Sequence, residues 1–177
     1  NLQPEGGKEK KVMLHKVSIA GLTMDPASNT PIIILKSEED DQAIPIWIGL
    51  LEATSIASAL QDIKYERPMT HDLFKNFSDT LHISIAKVEV CDLKDSTFYA
   101  RIYFVSKDSN FDIDARPSDA IALALRFNAP IYVEDTVMQQ SKISAGEAEV
   151  SDTSEEGKKW ADYLENLSPD DFGKYKV

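Results

Sequence analysis

Thiols are almost absent from this chain: Cys91 is the single cysteine. One cysteine excludes an internal disulfide framework and any zinc site assembled from several cysteines. It suits a reducing compartment, so a cytoplasmic location is expected. No apolar run approaches the ~18 residues that a membrane-spanning helix needs, and no membrane association is expected. The chain begins at Asn1 rather than Met, which leaves room for a removed leader. Glycine is sparse, at 7 residues. There is no glycine-rich phosphate loop, no zinc-ligand pair at helical spacing and no nucleophile elbow.

Positive charge is also in short supply. Lys and Arg number 19 against 30 Asp and Glu, a net charge of −11. A protein that coats nucleic acid carries a basic face, so this balance argues against that class. The deficit is uneven. Residues 1–133 hold 14 basic and 19 acidic residues, and residues 134–177 hold 5 and 11. More than half of the excess negative charge therefore sits in the last quarter, and the rest of the chain is only mildly acidic.

What is present is a core-forming sequence, 42% hydrophobic over 177 residues, enough for one domain with an appendage. Residues 1–11 read as a linker-like terminus, 12–138 as the domain, 139–153 as a polar linker, and 154–177 as an acidic helical segment with Trp160, Leu164 and Leu167 in register. Strands are expected at Val12–Met24, Ile32–Leu35, Ala43–Ile48, His82–Leu93, Thr97–Val105, Phe111–Ala115 and from Ile131. The unbroken Ile32–Leu35 run predicts a central strand buried on both faces. Pro45 predicts an edge or bulge position. His15 reads as a packed histidine, and Glu38–Asp41 as a solvated hairpin loop. Helices are expected from Leu50 to Ile63, with Ala53, Ile56, Ala57, Leu60 and Ile63 inward, from Thr70 to Thr80 with Thr70 as N-cap, and from Pro117 to Asn128. The fold class is α+β: a twisted, mixed, mostly antiparallel sheet of six or seven strands with about three packed helices and a short C-terminal helical appendage. Apolar strands outnumber the helices available to cover them, so a homodimer or higher homo-oligomer is expected.

Three stretches carry chemistry. They are Ile46-Trp47-Ile48-Gly49 with Glu52-Ala53, Arg67-Pro68-Met69-Thr70-His71-Asp72, and Arg116-Pro117-Ser118-Asp119-Ala120-Ile121-Ala122-Leu123-Ala124. Each lies where the chain enters a helix, and an Arg-Pro pair precedes two of the three. Together, and in this order, they resemble the bifunctional nuclease family, to which cleavage of both DNA and RNA is assigned. Ala129-Pro130-Ile131-Tyr132-Val133 follows at the matching place, and the resemblance covers roughly Val12 to Met138. It implies hydrolysis of phosphodiester bonds in DNA and RNA as transient substrates.

The residue types suit that chemistry. Helix mouths at Gly49, Thr70 and Ser118 offer free N–H groups to phosphate. Arg67 and Arg116, with Ser118, could hold a phosphate. His71, Asp72 and Asp119 are the candidate catalytic groups, His71 as general acid or base. Glu52, Asp72 and Asp119 could hold a divalent ion such as Mg²⁺ or Mn²⁺, which would bring phosphate to an acidic protein without a basic patch. The sequence expects Arg67, His71, Asp72, Arg116, Ser118 and Asp119 in one cluster with Glu52 nearby, gathered at one end of the sheet as helix mouths are after like-directed strands. Two plainer readings stand beside this. First-turn Glu52 serves the helix dipole, and the Arg and Asp residues form a buried lattice that only orders a non-catalytic binding or assembly module. Tyr99, Arg101 and Tyr103 share one strand face, which could stack bases or lie under a helix or partner.

Overall fold

The computed structural model describes residues 12–141 and 143–144. The expected terminus at 1–11 and the acidic segment at 154–177 lie outside the described residues, as does most of the 139–153 linker. Among the described residues eight strands form one sheet: β1 (Leu14–Asp25), β2 (Thr30–Ser37), β3 (Gln42–Trp47), β4 (Ser84–Lys94), β5 (Thr97–Val105), β6 (Asn110–Ala115), β7 (Ile131–Glu134) and β8 (Ile143–Ser144). Among the described residues four helices accompany them: α1 (Leu50–Leu60), α2 (Thr70–Thr80), α3 (Pro117–Phe127) and α4 (Asp135–Ser141). The sheet order is β6-β5-β4-β7-β1-β2-β3-β8. β4 and β7 pair in parallel, as the crossover through α3 requires, and the other neighbours are antiparallel. The protein is therefore α+β with a mixed, mostly antiparallel sheet.

Local chemistry explains most elements. β2 is buried from Pro31 to Leu35 and lies between β1 and β3, so its unbroken apolar run meets protein on both faces. β3 pairs with β8 only at Gln42 and Ala43, so Pro45 stands where no outer partner needs its missing N–H. Residues 38–41 form an exposed bend. α3 starts at Pro117 and ends at Asn128, which takes a left-handed conformation with φ 52°, one that asparagine tolerates.

Three details depart from the sequence reading. α1 stops at Leu60, because Asp62 adopts φ 51° and Ile63 N–H returns to the Ser58 carbonyl. Leu60 is accordingly half exposed rather than inward. Thr70 is the first helical residue of α2, whose N-cap is Met69; Asp72, in the first turn, reaches back to accept the Met69 N–H at 3.1 Å. α4 is a helix that periodicity did not reveal, because seven residues are too few to show it.

One core contains Ile33, Leu35, Ile44, Ile46, Val88, Val90, Ile102, Phe104, Ile131 and Val133 of the sheet. It closes against Ile56 of α1, Ile121 of α3 and Met138 of α4. His15 points to this side too, 7% exposed, with Nε2 at 2.8 Å from Asp135 at the start of α4. The opposite face of β4 and β5 is polar. Buried Glu89 accepts from Tyr103 Oη at 2.6 Å and pairs with Lys87. Burial and that carboxylate push the Tyr103 phenol well above its ordinary range.

The sheet is rolled. β3 and β6 are six strand spacings apart in order, which in a flat sheet would separate them by roughly 29 Å at ~4.8 Å each. Yet α1 leaves β3 within three residues, α3 leaves β6 within two, and the residue that caps α3, Arg116, is hydrogen-bonded to Glu52 in the first turn of α1. The expected cause of the gathering, like-directed strands, is not what operates here. Curling of the mixed sheet brings the helices that follow its far strands together over the core.

Candidate functional site

The three helix mouths supply the side chains. Gly49 is the extended N-cap of α1 and has no side chain to cap it. Glu52, in the first turn, folds back over it so closely that a Cβ on Gly49 would collide with the Glu52 carboxylate. Arg116 is the extended N-cap of α3, held by the Pro that follows. Its guanidinium forks onto Asp119, Nε to Oδ2 at 2.7 Å and Nη2 to Oδ1 at 3.1 Å, and Nη1 reaches Glu52 Oε1 at 2.8 Å. His71, in the first turn of α2, sets Nε2 at 3.0 Å from Asp119 Oδ1 and Nδ1 at 2.8 Å from Ser55 Oγ on α1.

Asp72 turns the other way. Its Oδ1 takes a hydrogen bond from Arg126 Nε at 2.5 Å. Arg126 also donates to the carbonyls of Ser55 at 3.3 Å and Ala122 at 2.9 Å. A continuous polar chain thus runs Glu52–Arg116–Asp119–His71–Ser55–Arg126–Asp72 and ties α1, α2 and α3 together. Neither Ser55 nor Arg126 was singled out in the sequence. The signal was there: Ser55 lies three residues after Glu52, and Arg126 seven after Asp119, each pair on one helix face.

The two arginines differ in setting. The Arg116 side chain is 65% exposed, whereas that of Arg126 is 8% exposed. The buried lattice foreseen from the Arg-Pro motifs is thus built on Arg126, and Arg116 faces solvent. Arg67 is exposed, and no hydrogen bond or ion pair is seen for it among the described residues. Ser118 is 94% buried at the mouth of α3. Burial pushes the Asp119 carboxyl up, but hydrogen bonds and charge from Arg116 and His71 outweigh this and hold it below the ordinary value. The same bonds push the Arg116 pKa further up.

Two cavities adjoin here. One, of about 310 Å³, is lined by Leu51, Ser55, Tyr65, Met69, His71 and Asp119. The other, of about 280 Å³, is lined by Trp47, Gly49, Phe98, Pro117 and Ser118. Glu52 and Arg116 line both and form the partition between them. Among the described residues, no group of three or more His, Cys, Asp or Glu could hold a metal ion. The expected ligands are engaged: Glu52 and Asp119 by Arg116, Asp72 by Arg126. No described helix is long and apolar enough to cross a membrane.

Two uncharacterized proteins, from Mycobacterium tuberculosis strains CDC 1551 / Oshkosh and H37Rv, are each 38% identical over 162 residues, 89% of this chain and 97% of theirs. Bifunctional nuclease 1 of Arabidopsis thaliana is 29% identical over 108 residues, 58% of this chain and 33% of its own length. Bifunctional nuclease 1 of Oryza sativa subsp. japonica is 24% identical over 112 residues, 62% of this chain and 34% of its own length. The profile of the bifunctional nuclease domain matches residues 33–146, a span that takes in all three helix mouths and both Arg-Pro motifs. The chain therefore belongs to the bifunctional nuclease domain family.

Proposed function

We propose that this protein is a nuclease that hydrolyses phosphodiester bonds in DNA and RNA at the cleft partitioned by Glu52 and Arg116. The observation that carries the reading is the exposed Arg116 guanidinium. It stands at a helix mouth, oriented by Asp119 and Glu52, between two cavities at the low end of the ~300–1,000 Å³ usual for small-ligand sites. A phosphate would meet Arg116, the hydroxyl of Ser118 and the free N–H groups of the α1 and α3 first turns. Exposed Arg67 would reach a flanking phosphate. Asp119 orients His71, which would move the proton. Asp72 acts through Arg126 and Ser55 to hold His71 rather than at the reacting atoms.

A Mg²⁺ or Mn²⁺ ion would have to draw Glu52 and Asp119 away from Arg116, so the donor set as it stands does not fit a resident metal. The reading needs none of its steps routed through one. The test is degradation of plasmid DNA and of RNA by purified protein, with and without Mg²⁺, Mn²⁺ and EDTA, beside Arg116→Ala and Asp119→Asn. Cleavage lost in both variants supports the reading, and cleavage unchanged in both overturns it.

One observation favours a second reading, a non-catalytic binding or assembly module. Each of the three motif carboxylates is already ion-paired to an arginine, Glu52 and Asp119 sharing Arg116, and the chain as a whole is acidic. Full-length protein with no cleavage under any of these conditions, but with saturable binding of a small phosphate ester, supports that reading instead.

A further inference from the structure

α2 is an amphipathic helix that faces the wrong way for a monomer. Its only buried residue is Ser78. Leu73, Phe74, Phe77 and Leu81 are 60%, 37%, 60% and 50% exposed. Its ties to the domain are largely polar, through His71 to Asp119 and Asp72 to Arg126. A helix stripe of this kind forms by burial, so something covers it.

The patch continues onto the sheet. Phe74 lies 6.1 Å from the ring of Phe104, and Phe104 stacks on Phe111 of β6 at 5.2 Å. Phe111 and Ile113 pair across from Phe104 and Ile102, on the core side, yet are 40% and 49% exposed. The two outer edges of the sheet are treated differently. β3 carries Pro45 and is partly covered by β8. β6 has no Pro, no Lys and no register shift, and its outer side is unpaired among the described residues. An edge left so open is normally guarded or used.

We infer that this α2–β6 surface is where a second copy of the chain docks, about a two-fold axis. Large side chains of ~150–250 Å² each, exposed to these degrees, leave on the order of 600 Å² of apolar surface per protomer. That reaches the largest patch usual on a monomer and comes close to the ~800 Å² per partner of a specific interface. The polar margin of β6 supplies the remainder. A two-fold contact needs a self-complementary patch, and an edge strand beside an apolar helix is one. Of the two carboxylates on β6, Asp112 is paired with Arg101. Asp114 has no ion-pair partner among the described residues and opposes the contact, so salt strengthens it. Because α2 carries His71 and Asp72, the second copy also holds these side chains in place. The alternative cover is the chain's own C-terminal segment, through Trp160, Leu164 and Leu167.

The test is sedimentation equilibrium of the full chain at micromolar concentration and 150 mM salt. Compared with wild type are Phe77→Glu, Ile113→Lys and the double variant Trp160→Glu/Leu164→Glu, each checked for native circular dichroism. The expected result is a wild-type dimer whose dissociation constant rises at least tenfold in Phe77→Glu and in Ile113→Lys and is unchanged in the double variant. Should Phe77→Glu fail to fold, Ile113→Lys on the strand decides alone. A monomeric wild type overturns the inference, as does a dimer that Ile113→Lys leaves intact or that the Trp160/Leu164 pair disrupts. The measurement reads mass, so its outcome is independent of whether the cleft cleaves nucleic acid.

Discussion

Arg116 Nη1 donates to Glu52 Oε1 at 2.8 Å across 64 residues of sequence, joining the mouth of α3 to the first turn of α1. That bond joins the helices that follow two far-apart strands of the rolled sheet, β3 and β6. It also fixes the partition between the two cavities, so the same contact belongs to the fold and to the candidate site.

Arg116→Ala is expected to remove activity at little cost in stability. The guanidinium is 65% exposed, and exposed ion pairs contribute only ~0–1 kcal/mol. Paired measurement of cleavage rate and urea midpoint checks this. A loss of several kcal/mol would mean that Arg116 is structural.

Arg126→Ala should behave in the opposite way. Its side chain is 8% exposed and holds Asp72 and two carbonyls. Removing it leaves Asp72 Oδ1 without its donor, and losing a hydrogen bond to a charged group costs about 1.5–3 kcal/mol. Thermal or urea unfolding that shows a loss below about 1 kcal/mol contradicts the buried-pair account.

Gly49→Ala tests the seat of Glu52. The backbone at Gly49 has φ −74°, which alanine adopts without strain. The added Cβ meets only the end of the flexible Glu52 side chain. The variant should therefore keep its melting temperature within a few degrees while its Glu52 carboxylate leaves Arg116. Cleavage that tracks Glu52→Gln would confirm that this carboxylate orients the arginine; wild-type rates in Gly49→Ala would refute it.

The pH dependence of stability should carry an Asp119 component. Its folded pKa lies below the ordinary 3.8. The unfolded chain thus binds this proton more readily, and Asp119 stabilises the fold above pH 3.8, an effect lost as pH falls through the lower folded value. The difference in unfolding free energy between wild type and Asp119→Asn should be constant near neutrality and shrink below about pH 3.8. A difference that stays level down to pH 2 would be the contrary result.

Ile121 is fully buried in the middle of α3. Ile121→Ala should cost about 2–5 kcal/mol through lost burial and the cavity left behind. Calorimetry is the readout, and a cost under 1 kcal/mol would show that the core refills.

Much of this protein is written locally in its sequence. The run Ile32–Leu35 fixed a strand buried on both faces, because no polar residue interrupts it. Pro117 and Asn128 fixed the ends of α3 through their φ preferences. Helix mouths with Arg, Asp and Glu were legible because capping and dipole chemistry act within one turn. Other features were not local. The extent of α1 hung on a left-handed Asp62, α4 was too short to show a period, and Arg126 became part of the site only when Asp72 turned toward it. Above all, strand order and sheet curvature decided that the helices following β3 and β6 meet. Those depend on how one apolar face closes around a common core, a property of the whole sheet that no single stretch encodes.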